Sequence, residues 1–193
     1  MKFKVALVIG LNTDQKASQV ISTIRDLDNA FFAVLILESD DAFTKGRQIL
    51  SDLSDFYFDF EGSASEKLKN TFEQAETSNL SLVAISGKVL YLIGRGEVQM
   101  YLKRDEKLSA LLSVGGTGQI ISGFLQEGDR LLLATKTLVD FLGTDLAKSL
   151  DLPIDEFEEE ITARVGSTLL EGDGLAGALN TSEFPYLYNY KHP

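Results

Sequence analysis

The chain has 193 residues, with 18 lysines and arginines against 29 aspartates and glutamates, a formal charge of −11 with its single histidine neutral. That surplus repels phosphate backbones and anionic lipid, which excludes an electrostatic grip on nucleic acid or a membrane surface. With no cysteine, and with the one histidine at His192, there is no disulfide, thiolate zinc site, His-centred triad or multi-histidine metal site, and carboxylates are the abundant reactive groups left.

In chain order the first predicted element is a strand, Phe3 to Ile9. Two lysines ahead of an apolar stretch also open a signal peptide, but Val5 to Leu11 is short and runs into Asn12-Thr13-Asp14-Gln15-Lys16 with no small-residue cleavage pattern. A buried strand and a cytoplasmic location are the expectation. Ser18 to Ile24 follows, with Val20, Ser22 and Ile24 on one face by alternation. Phe31 to Leu37 is apolar on both faces, as in a strand covered by a layer on each side. With Ala30 it is also the longest apolar run, at eight residues, far short of the ~20 that span a bilayer as a helix. Ser39 is placed to N-cap a helix in which Phe43, Gly46, Leu50 and Leu53 recur to about Phe56. Ser63 and Glu66 form a capping box before a second helix with the buried stripe Leu68, Phe72 and Ala75.

From Leu80 the period becomes two. Leu80 to Ile85, Lys88 to Ile93 and Val98 to Leu102 are strands separated by Ser86-Gly87 and by Gly94-Arg95-Gly96, spacings that suit antiparallel hairpins. After a charged connector, Lys103 to Lys107, strands Leu111 to Val114 and Gln119 to Ile121 flank a glycine-rich turn. Arg130 to Ala134 is a further buried strand, entered through Gln126-Glu127-Gly128-Asp129. Helices follow at Leu138 to Leu142, Asp145 to Leu150 and from about Asp155, where Phe157, Ile161, Val165 and Leu169 recur and Asp155 with Glu158 forms a second capping box. Leu175 to Leu179 closes the domain.

Helices in two separated groups, with helix-free antiparallel strands between them, predict an α+β fold with helices on the outer faces of packed sheets, and disfavour an alternating βαβ array. Residues 1–180 are expected to form one domain and 181–193 a tail. The aromatic run Phe184-Pro185-Tyr186-Leu187-Tyr188-Asn189-Tyr190 reads as a packing strap, with a partner contact or the start of a linker as alternatives. The loop Val114-Gly115-Gly116-Thr117-Gly118 leads into a strand rather than a helix, so a hairpin turn is favoured over a phosphate cradle. Glu158-Glu159-Glu160 falls in a first helical turn, where acids complement the dipole.

One stretch carries more. Gly123-Phe124-Leu125-Gln126-Glu127-Gly128-Asp129-Arg130-Leu131-Leu132-Leu133-Ala134-Thr135-Lys136-Thr137-Leu138-Val139-Asp140-Phe141-Leu142 resembles the segment of the metal-dependent protein phosphatases (PPM type, or type 2C Ser/Thr phosphatases) that reads G-x-L-x-x-GDRLLLATDG-L-x-D-x-L. Phe31 to Val34, Gly46, the segment Tyr91 to Leu102 and Asp173-Gly174-Leu175-Ala176 are similar to further family pieces in the same order. The resemblance implies a four-layer αββα sandwich of two antiparallel sheets flanked by helices. It also implies two manganese or magnesium ions, held by aspartates, that generate the hydroxide attacking a phosphoester.

The departures from the family pattern fall on those aspartates. Their positions match Ile36, Arg95 and Lys136, and only Asp173 keeps a carboxylate. Asp40 and Asp41 lie near the first lost position but are placed to start a helix. A cation in place of a ligand repels a dication by on the order of several kcal/mol at partial burial. The expectation is therefore a catalytically inactive phosphatase-like domain without a cofactor, a regulatory or scaffolding module for a protein partner, in which Lys136 or Arg95 pairs with Asp173 or both cations point to solvent. The alternative is an active phosphoprotein phosphatase with an atypical manganese or magnesium site. N-terminal-nucleophile hydrolases share the layering, but Met1-Lys2-Phe3 does not offer the Thr, Ser or Cys nucleophile they need.

Overall fold

In the computed structural model, residues 2–168 and 171–183 are described. The chain runs β1 (Lys2–Ile9), β2 (Lys16–Ile24), β3 (Asn29–Glu38), α1 (Ala42–Asp59), α2 (Ala64–Gln74), β4 (Asn79–Ser86), β5 (Val89–Arg95), β6 (Val98–Arg104), β7 (Lys107–Leu112), β8 (Ile121–Phe124), β9 (Arg130–Thr135), α3 (Lys136–Leu142), α4 (Leu146–Ser149), α5 (Ile154–Thr168) and β10 (Ala176–Glu183). The strands form two five-stranded sheets, ordered β1-β10-β9-β6-β7 and β2-β3-β4-β5-β8, in which the pairs are antiparallel.

Alternation along each strand separates three apolar layers. Phe32 and Val34 of β3 meet Met100, Leu131 and Leu133 of the other sheet in the central layer. Phe31, Ala33 and Leu35 point the opposite way, under Leu50, Leu53, Leu68 and Phe72 of α1 and α2. Leu132 and Ala134 point outward from the first sheet under Leu138, Phe157, Ile161 and Val165. The result is the expected αββα sandwich. β3 is apolar on both faces because both are covered.

Local caps agree in part. Ser63 and Glu66 make the expected box, but Ser39 does not cap α1. Asp41, at φ 58°, stands at the N-cap without a side-chain bond, while the Ala42 N–H is satisfied by the Asp14 carbonyl at 2.8 Å. The loop before β2 therefore replaces a capping side chain. The second box also fails: α5 begins at Ile154, and Glu158 instead accepts a hydrogen bond from the Leu7 N–H of β1 at 3.1 Å.

Two expected hairpins are crossings between sheets. β5 and β6 lie in different sheets, as do β7 and β8, so Gly94-Arg95-Gly96 and the Gly115 loop each carry the chain across the sandwich. The two crossings bond each other, Gly115 N–H to Gly96 O at 2.9 Å. At Gly96, φ 80°, a Cβ would stand 2.2 Å from the Ser78 carbonyl oxygen, so the close approach excludes any larger residue. Lys103 to Lys107, read as a connector, is a hairpin: β6 pairs with β7 through Arg104 and Lys107. β10 runs to Glu183, beyond the expected domain end at 180. Leu169, the aromatic tail and His192 lie outside the described residues.

Candidate functional site at one mouth of the sandwich

At one end of the sandwich β1, β3 and β9 finish while β2, β4 and β10 begin. Ile36 lies there, between Ser18 of β2 and Asn79 of β4. Its parity along β3 is that of Phe32 and Val34, so its side chain faces the gap between the sheets and is buried.

Asp173 reaches the same mouth from the loop before β10. That loop is pinned from three sides: Leu175 O accepts from Gly10 N at 2.7 Å and from Ser18 Oγ at 2.9 Å, and Ala176 N donates to Thr135 Oγ1 at 3.1 Å. The Asp173 Oδ1 atom accepts from Leu175 N at 2.9 Å, while its Oδ2 is buried without a hydrogen-bond partner. A Cβ on Gly10 would fall 2.8 Å from Oδ1, so Gly10 lets the carboxylate sit against β1.

Lys136 is the first residue of α3, whose N-cap is Thr135. Its ammonium hydrogen-bonds Asp140 one turn along the helix, and that bond holds its pKa above the usual lysine range. Arg95 points elsewhere. It shares the parity of Ile93, which faces the helices, and its guanidinium donates to the carbonyls of Ala75 and Thr77 and lies 4.3 Å above the Phe72 ring. It thereby serves the C-terminal end of α2, where unpaired carbonyls and the helix dipole favour a cation. Burial lowers its pKa.

Neither alternative expected of the two cations holds as stated: Lys136 is held by Asp140 and Arg95 by the end of α2, and among the described residues neither forms an ion pair with Asp173. The cation beside the Asp173 loop is Lys16, whose Cε lies 3.3 Å from where a Cβ on Gly174 would stand. Lys16 sits opposite Glu38 in the β2–β3 ladder, and the two form an ion pair at 3.2 Å. No spacing motif marked Lys16, because only the strand register brings it here. Among the described residues no group of three or more His, Cys, Asp or Glu side chains is gathered to hold a metal ion. The donors present thus fall short of a two-ion centre, which needs several oxygen ligands for each ion.

No protein-family model matches the sequence, and no curated protein matches it significantly. Solved structures do match. A serine/threonine phosphatase of S. agalactiae superposes with a TM-score of 0.70 at 13% identity, covering 94% of this chain and 100% of its own. The catalytic domain of the serine/threonine phosphatase PstP, in complex with two manganese ions, gives 0.65 at 14% identity over 93% and 97% of the two chains. RsbX in complex with magnesium gives 0.67 at 12% identity over 93% and 94%.

The fold is that of the type 2C phosphatases. At these identities the likeness establishes architecture, and the resemblance read in the Gly123 to Leu142 stretch agrees with it. The expectation of a phosphatase-like domain without a cofactor is corrected by the same neighbours: PstP holds manganese and RsbX holds magnesium, so this phosphatase fold points to divalent metal rather than away from it. No helix of the described residues is long and apolar enough to cross a membrane.

Proposed function

We propose that this phosphatase-like domain acts by binding a protein partner, as a regulatory or scaffolding module, and does not turn over phosphoesters. The observation that carries the proposal is the state of the mouth. Ile36 fills its interior with an aliphatic side chain, Lys136 is engaged by Asp140, Arg95 has turned to α2, and among the described residues the one buried carboxylate oxygen without a hydrogen-bond partner is on Asp173. Hydrolysis through paired ions depends on carboxylates that offset their charge and hold them at a fixed separation, and one carboxylate does neither. The reading concerns turnover and not metal occupancy. The manganese and magnesium of the neighbours make those ions the ones to supply in its test.

Hydrolysis of para-nitrophenyl phosphate and of a phosphothreonine peptide is measured with manganese in excess. No rate above the protein-free blank is expected. Manganese-dependent turnover that Asp173→Ala abolishes would establish the active alternative.

A further inference from the structure

We propose that the free edge of β2, together with the groove between β2 and α1, is a docking site for an extended segment of a partner protein that carries alternating apolar side chains and a carboxylate. The proposal concerns a flank of the sandwich, and it stands whether or not the mouth has activity.

Strand edges expose unpaired N–H and C=O groups, and proteins usually block them. On β1, Glu158 of α5 takes the Leu7 N–H. β8, the opposite edge of the second sheet, is only four residues long. β2 is blocked at its start alone: Thr13 bonds both the N–H and the C=O of Lys16, and the Asn12 side chain bonds both backbone groups of Ser18 at 2.9 and 3.2 Å. Those bonds show that the even-numbered residues of β2 direct their backbone groups away from β3. The Arg25 N–H, bonded across the hairpin to Asn29 O, confirms the alternation. Val20 and Ser22 therefore present N–H and C=O groups outward, and nothing among the described residues bonds them. A strand can add there.

Beside that open stretch lies a groove of about 450 Å³ walled by Ile9, Val20, Phe43, Arg47, Leu50 and Ser51. Gln19 fixes its width by donating from Nε2 to the Phe43 carbonyl at 2.9 Å. Ile9 and Phe43 remain 43% and 42% exposed on its walls, large apolar surfaces of the kind that mark an interaction site. Arg47 stands at the rim over the Phe43 ring, 5.8 Å from its centroid, and no carboxylate among the described residues pairs with it. Each element fixes one property of the occupant. The edge requires extended backbone, the walls require apolar side chains at alternate positions, and Arg47 requires a carboxylate. A second copy is disfavoured because two chains of charge −11 repel.

The test is a phage-displayed library of random decapeptides panned against the full chain, with affinities then measured for the enriched peptides. Enriched sequences should alternate apolar residues and carry an acid, and their affinity should fall at least tenfold in both Ser22→Pro and Arg47→Glu. Ser22→Pro removes an N–H that the β2–β3 ladder does not use, so the fold should survive, which circular dichroism checks. Arg47→Glu reads the same site without touching the backbone. Absence of enrichment, or enriched peptides that bind both variants as tightly as the parent, would overturn the proposal. A concentration-dependent dimer dissolved by Ser22→Pro would also overturn it, assigning the edge to a second copy.

Discussion

The two ends of the sandwich each hold a carboxylate in a glycine-containing turn, and the two are treated in opposite ways. At the far end Asp129 is buried and its oxygens are fully engaged: Arg104 donates to it twice, from Nε at 2.8 Å and from a terminal nitrogen at 2.7 Å, and Gln126 N–H adds a third bond at 2.7 Å. The pairing raises the Arg104 pKa. Ser182 of β10 joins the same turn through Gly128 N and Gln126 O. At the mouth Asp173 has one oxygen bonded to Leu175 N and the other buried without a partner, beside a lysine already paired with Glu38. A buried polar atom left without a partner costs stability and calls for an explanation. Asp129 joins Arg104 to the turn before β9, whereas the Asp173 carboxylate bonds only within its own loop.

Removing the Asp129 carboxylate is expected to have the largest effect. Asp129→Ala loses three charge-assisted bonds, but the Arg104 side chain is 34% exposed and can be hydrated. The cost should therefore be about 2–3 kcal/mol, below the full penalty for breaking a buried pair. Urea denaturation measures it, and a loss under ~1 kcal/mol would reduce Asp129 to a surface ion pair. Thr135 tests the mouth's backbone by itself. Its Oγ1 accepts from Leu138 N and Ala176 N, so the near-isosteric Thr135→Val strips a helix cap and leaves a buried amide unpaired, at about 1–2 kcal/mol. Faster hydrogen exchange at the Ala176 amide should accompany that loss.

The local features were the legible ones. The box at Ser63 and Glu66 lies within four residues, and the stripes that bury Leu50, Leu68 and Phe157 lie within a few turns of one helix. Strand positions from Leu80 onward could be placed by their period of two, but a period does not state which sheet a strand joins. The crossings at Gly96 and Gly115 were therefore read as hairpins. The same blindness affected the mouth. Ile36 and Asp173 were placed by family-like motifs, yet the direction of Arg95 depends on its parity against Ile93 and on where α2 ends. Lys16 depends on a register with Glu38 that no spacing along the chain encodes. Ser39 failed as a cap because a carbonyl from Asp14, distant in sequence, already satisfied Ala42.

The smallest effect is expected where the comparison is sharpest. Asp173→Asn keeps an oxygen to accept the Leu175 N–H and replaces the unpartnered carboxylate oxygen with an amide donor of nearly the same size. The charge it removes is one that no cation among the described residues pairs with, since Lys16, the lysine near the loop, is paired with Glu38. Stability should stay within about 1 kcal/mol of the parent, a fraction of the Asp129→Ala loss, in the same urea titration. A loss as large as that of Asp129→Ala would mean that the second oxygen already serves the fold, and the two carboxylates would then act alike. A change within the expected range separates them: one ties the end of β6 to the turn before β9, and the other can be altered chemically while the sandwich around it stays folded.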